Sequence, residues 1–211
     1  MRMLIMSFGI SLILLKNIMP KPTFDKKRAL SWSAISSFEY DPEQWYQSYV
    51  LGIRSSSKEM EFGSMIDRKI QDDIDFLPHL PRYERMQHKM KYVLSGIPLV
   101  GILDGMNTDP LELCDFKTGK KAWDQKRADD TGQITMYLLL LYATERINPE
   151  DVRCFIHWLP TVENGDFSIS LIDENKFYTF ETKRTMKQLL EFGKKIKKIY
   201  KDMQEYALAH E

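Results

Sequence analysis

The chain has 211 residues, 43% hydrophobic and 28% charged, with 30 Lys and Arg balanced by 30 Asp and Glu. This is ordinary globular composition, sized for one domain with room for an appendage, and it is not that of a strongly basic nucleic-acid protein, although a local groove can still be basic. Two cysteines, Cys114 and Cys154, exclude a disulfide framework and a four-thiolate cluster; both lie in apolar strand-like runs, which suits core packing in a reducing, cytoplasmic setting.

Residues 3–15 form an uncharged apolar run between Arg2 and Lys16. A membrane span takes about 20 residues, and no small-residue cleavage site follows the run. Residues 1–19 are therefore read as an apolar extension outside the domain, with Met19 as a candidate start and a membrane anchor as the minor alternative. The domain then occupies 20–211. In "LSWSAISSFEYDPEQWYQSYVLGI", Ser33 is expected to cap a helix, with Ser36 and Glu39 as a capping box. Asp41-Pro42 restarts a second helix, which Gly52 stops. A helix is expected over 61–74, with Met65, Ile66, Ile70 and Ile74 as its apolar stripe and Asp67 beside it. Another is expected near 82–90.

Two β-type runs, 98–106 and 111–117, flank Asn107-Thr108-Asp109-Pro110 and read as an antiparallel hairpin. A helix follows over 132–146, heavily apolar, stopped by Asn148-Pro149. "DVRCFIHWLP" and "DFSISLID" read as strands, and "KFYTFE" as a short further one. A long amphipathic helix spans 182–208, with Met186, Leu189, Leu190, Ile196, Ile199, Tyr200 and Met203 on one face. The order predicts an α/β fold, a mixed sheet carrying helices.

The chemistry sits in the hairpin. Side chains alternate along a strand, so Asp115 and Lys117 share a face. If the turn is symmetric about Thr108 and Asp109, Met106 faces Leu111, and Asp104 becomes a diagonal neighbour of Asp115 on that same face. Two carboxylates converging there repel unless a cation joins them, and Mg²⁺ or Mn²⁺ suits an oxygen site. Lys117 is placed to orient a water or to lend charge to a phosphoryl transition state. Gln133 and Tyr137, four apart on one helical face, can hydrogen-bond a phosphate or a water.

In this order, "GILDGM", "LELCDFKTGK" and "QITMY" resemble the RecB-like branch of the PD-(D/E)XK nuclease superfamily, over about residues 30–200. The resemblance implies a restriction-endonuclease-like core and a divalent-metal-dependent DNA nuclease, an exonuclease of repair or recombination. It implies Asp104 and Asp115 as metal ligands, the Phe116 carbonyl completing the metal shell, Lys117 as the catalytic lysine, and Gln133 and Tyr137 as the accessory pair. It also implies Thr118 and Lys120 as nucleic-acid contacts and DNA as the partner, with a helicase or recombination protein as a further one. The branch carries Gly-x-x-x-His on an early helix; "GSMID" places Asp67 at the His position, either as a third ligand or as a solvated helix residue. The other reading is a nuclease-fold binding module that has lost catalysis and serves an assembly. His157 reads as a satisfied strand histidine, His79 and His88 as solvated positions, and the lysines of 194–201 as a solvated helix face.

Overall fold

A computed structural model describes residues 23–53, 56–73 and 75–210. The apolar extension at 1–19 and Ile74 of the expected stripe lie outside the described residues. Helix α1 covers Trp32–Tyr40, and its cap is Ser31 rather than Ser33: the Ser31 hydroxyl accepts from Ala34 N at 3.3 Å. Ser33 and Ser36 therefore fall inside the helix, where they cannot cap it. Asp41 caps the next helix as expected, accepting from Gln44 N at 3.0 Å, and α2 (Pro42–Trp45) continues into a π turn, Tyr46–Val50. Helix α3 runs Lys58–Asp72 behind the Ser57 cap.

The helix expected near 82–90 is instead a strand, β1 (Arg85–Leu94). Ser95 and Gly96 both take positive φ, 51° and 87°, and make the two-residue turn that pairs Leu94 with Ile97. Because β1 is an edge strand in which only Met90 is buried, its sequence carries no alternation to read. Strands β2 (Ile97–Thr108) and β3 (Leu111–Gly119) form the expected hairpin. Its turn is Asp109-Pro110, so Met106 pairs with Leu113 and not with Leu111. This shift of two residues preserves the faces assigned to β3.

A short helix that the sequence did not suggest, α4 (Gln125–Asp130), precedes α5 (Gly132–Glu145). Strands β4 (Arg153–Glu163), β5 (Ile169–Leu171) and β6 (Tyr178–Thr182) and the long α6 (Met186–His210) complete the chain. The result is a mixed six-stranded sheet flanked by helices, compatible with a restriction-endonuclease-like core. Its first strands run β1-β2-β3-β4; β3 and β4 are parallel, and both β5 and β6 pair with β4.

Each sheet face is covered differently. Leu103, Met106, Leu113 and Ile156 pack under α5 and α6, and α5 is apolar all round because it is buried on nearly every side. On the other face, Ile66 and Ile70 of α3 pack on Cys114 and Phe116. Along α6, Leu189, Ile196, Ile199, Tyr200 and Met203 are buried as expected, whereas Leu190 faces solvent. No helix among the described residues is long and apolar enough to cross a membrane.

Candidate active site

Asp115 is the centre of the site and is fully buried. Strand β3 presents it toward the first turn of α5, where the Gln133 amide donates to its Oδ1 at 2.7 Å and the Tyr137 hydroxyl at 3.4 Å. The same amide donates to the Tyr137 hydroxyl at 2.6 Å, and Gln133 Oε1 accepts from Lys117 Nζ at 2.9 Å. Gln133 thus ties together all three neighbours, as its spacing to Tyr137 on one helical face allows. The ammonium of Lys117 lies 2.6 Å from Asp115 Oδ2. That ion pair is what holds Oδ2, which receives no hydrogen bond from any other group among the described residues.

Asp104 joins from β2, by a route that strand alternation does not anticipate. Leu103 and Met106 both belong to the core under α5, while Gly105 lies against Tyr83 and Cys114 on the opposite face. The alternation therefore slips by one residue between Leu103 and Met106, and the register sets Asp104 one step beyond the Gly105–Cys114 pair, level with Asp115 rather than with Leu113. The β2–β3 pairing runs only as far as Gly105 and Cys114. Beyond it the Asp104 carboxylate replaces a backbone acceptor, with Oδ2 taking the Phe116 N–H at 2.9 Å. Its Oδ1 accepts from Gln87 Nε2 at 3.4 Å. Gln87 holds a left-handed backbone, φ 51°, within the stretch expected to be helical.

Three carboxylates meet one ammonium here. Burial, and then the neighbouring Asp115, push Asp104 well above the usual carboxylate range. Asp67 rises to about 6, through burial and the Asp115 charge, against an opposing pull from Lys117. Burial works to lower the Lys117 ammonium, but Asp115, Asp104 and Asp67 outweigh it and hold it above its ordinary value. Lys117 keeps 27% of its side-chain surface open to water, so it can reach a substrate.

The donor set consists of oxygens, and the Oδ2 of buried Asp115, held by a cation alone, is the kind of atom a hard metal ion would bind. Asp104 and Asp115 would hold such an ion, with waters completing its shell. No group of three or more His, Cys, Asp or Glu side chains among the described residues stands close enough to form a ready cage. Asp67 comes from α3, on the other sheet face, and senses the cluster through its charge. Helix α3 approaches β3 closely at Gly63, where an added Cβ would meet Thr118 Oγ1 at 3.1 Å.

Phe116 contributes its N–H to Asp104 and its ring to the opposite face. Thr118 is half-buried against α3. Lys120 is held in ion pairs with Glu163 and, at 4.0 Å, with Glu59. His157 is a satisfied strand histidine: it bonds the Tyr83 hydroxyl at 2.8 Å and Thr179 at 2.9 Å, and burial lowers it to about 4. His88 pairs with Glu145 at 2.7 Å.

Two features escaped the sequence reading. An open groove of about 620 Å³ leads away from Lys117 and Gln133, lined by Trp32, Lys121, Trp123, Lys126 and Arg127 among others. Its signal was scattered over two segments ninety positions apart in the chain. The corner between α4 and α5 is fixed by Arg184, a buried cation that donates to the carbonyls of Ala128 and Thr131 at 3.1 and 3.0 Å and to Thr135 Oγ1 at 2.9 Å.

No family model matches the chain, and no curated protein matches it. Among solved structures, a protein of Eubacterium rectale assigned provisionally as an exonuclease superposes with a TM-score of 0.53 at 13% identity, covering 87% of this chain and 83% of that one. A phage related exonuclease from Haemophilus somnus 129PT gives a TM-score of 0.46 at 14% identity, over 83% of this chain and 80% of that one. The chain therefore shares a fold with the first of these.

Proposed function

We propose that the protein is a divalent-metal-dependent nuclease that hydrolyses DNA phosphodiester bonds, most simply as an exonuclease. The observation that carries this reading is Asp115: a fully buried carboxylate paired at 2.6 Å with an ammonium that is held charged and still reaches water, beside a second carboxylate. The exonuclease assignment of the fold neighbour from Eubacterium rectale agrees with it.

Bound Mg²⁺ or Mn²⁺ would lower the pKa of a water and offset charge on a phosphoryl group. The chain's own residues do the rest. Asp104 and Asp115 would hold the ion. Lys117, protonated, cannot take a proton from water; it places positive charge where the phosphoryl oxygens become more negative. Gln133 fixes the Lys117 ammonium and the Asp115 carboxylate in one geometry, and Tyr137 buttresses Gln133. Repair or recombination is the setting in which such an activity, with a helicase or recombination protein as partner, would be used.

Titrating Mg²⁺ and Mn²⁺ against labelled linear and circular DNA tests this. Cleavage of linear DNA alone, abolished by EDTA, is expected; no cleavage with either ion would refute the reading. A non-catalytic binding module is favoured by one observation, that Asp67 does not close a three-ligand cage. It would bind DNA in the same assay and leave it intact.

A further inference from the structure

We infer that the groove beside Lys117 is a stacking site for the bases of an unpaired nucleic-acid strand, so that the enzyme works on single-stranded ends. The inference rests on the nuclease reading above and names its substrate form. Trp32 and Trp123 both line this groove, and Trp32, Lys117 and Gln133 are shared with an adjoining cavity of about 460 Å³, so Trp32 stands where the two cavities meet at the acidic cluster. Gly132 lets Trp32 lie against the start of α5: a Cβ there would come within 2.2 Å of its ring. The Arg127 guanidinium sits 4.1 Å over the Trp123 ring, held by the carbonyls of Lys121 and Ala122 at 3.2 Å. A fixed guanidinium on an indole is a flat, cationic surface, and bases stack on both group types.

The charges fit a strand. The groove's two acids are already engaged, Asp124 as the cap of α4, accepting from Arg127 N at 2.7 Å, and Asp130 in an ion pair with Lys126. Lys121 has no carboxylate partner among the described residues and is left for phosphate. A groove of about 620 Å³ has the size of sites that take drug-sized ligands, which gives room for a nucleotide. Stacking of this kind ignores base identity, as a nuclease of general substrate requires.

The test measures binding in EDTA, where nothing is cut, to a labelled oligo-dT strand of about ten nucleotides and to an abasic strand of equal length and charge. Wild type should prefer oligo-dT by roughly tenfold. Trp123→Ala should erase most of that preference, and Trp123→Phe should restore it, which separates loss of a ring from loss of folding. Equal wild-type affinity for the two strands, with Mg²⁺-dependent cleavage intact, would overturn the stacking site and leave the nuclease standing. Failure of wild type to bind or cleave any nucleic acid would remove both.

Discussion

Two buried polar side chains lie side by side in the sheet and have opposite fates. His157 of β4 is register partner of Phe116, the residue after Asp115 in β3. His157 sits between the Phe116 and Phe155 rings, uncharged, with both ring nitrogens bonded. Asp115 faces the other layer, with one oxygen held by the Lys117 ammonium alone. A buried polar group with every hydrogen bond in place secures a core; one held by a single charge that still reaches water can exchange that partner for another ion.

The largest expected effect separates the two in activity. Lys117→Ala should cut turnover by about 10²–10³-fold, since it removes charge at the transition state, while metal affinity measured by calorimetry changes little. Wild-type turnover for this variant would break the assignment. His157→Ala should do the reverse. It should cost about 2–4 kcal/mol by opening a cavity and orphaning the Tyr83 hydroxyl, yet leave turnover per folded molecule unchanged, as denaturant melts combined with active-site titration would report.

The pH dependence of stability should also run in opposite directions. Asp67 and Asp104 have raised pKa values, so their contribution is fully present below the ordinary carboxylate value of about 4 and is lost as pH rises, for Asp67 through about 6. His157 is lowered, so its contribution is present above about 6.5 and is lost as pH falls toward about 4. In EDTA, Asp67→Asn should therefore melt above wild type by a margin that grows between pH 4 and 7.5, and Mg²⁺ should shrink that margin. A margin indifferent to pH and to Mg²⁺ would take Asp67 out of the cluster. If Asp67 does serve the ion, the same variant should need more Mg²⁺ for half-maximal rate.

The smallest effect concerns how α3 meets the site. Gly63→Ala presses on Thr118 Oγ1 but gains helix propensity, so the two nearly cancel and stability should move by less than about 1 kcal/mol. A larger loss would mean that α3 and β3 are locked together at this contact.

Much of the cluster could be read from the sequence because its signals are local. Asp115 and Lys117 share a face by strand alternation alone, and Gln133 and Tyr137 share one by helical period; the structure joins all four in one network through Gln133 and Asp115. Asp104 was legible as a neighbour but not in its geometry, because a slip in alternation is set by how β2 is gripped between β1 and β3. Strand β1 was misread since an edge strand exposes most of both faces. The groove was missed because Trp32 and Trp123 meet only after the chain has folded.

Arg184 has a consequence of another kind. It enters the chain after every strand, yet it fixes the α4–α5 corner that carries Trp123, Arg127 and Gln133. While the polypeptide is still being synthesised, the acidic hairpin emerges long before the residue that steadies its partners. A nascent chain would thus carry its carboxylates without an aligned Gln133, and competence would arrive only once Arg184 has emerged.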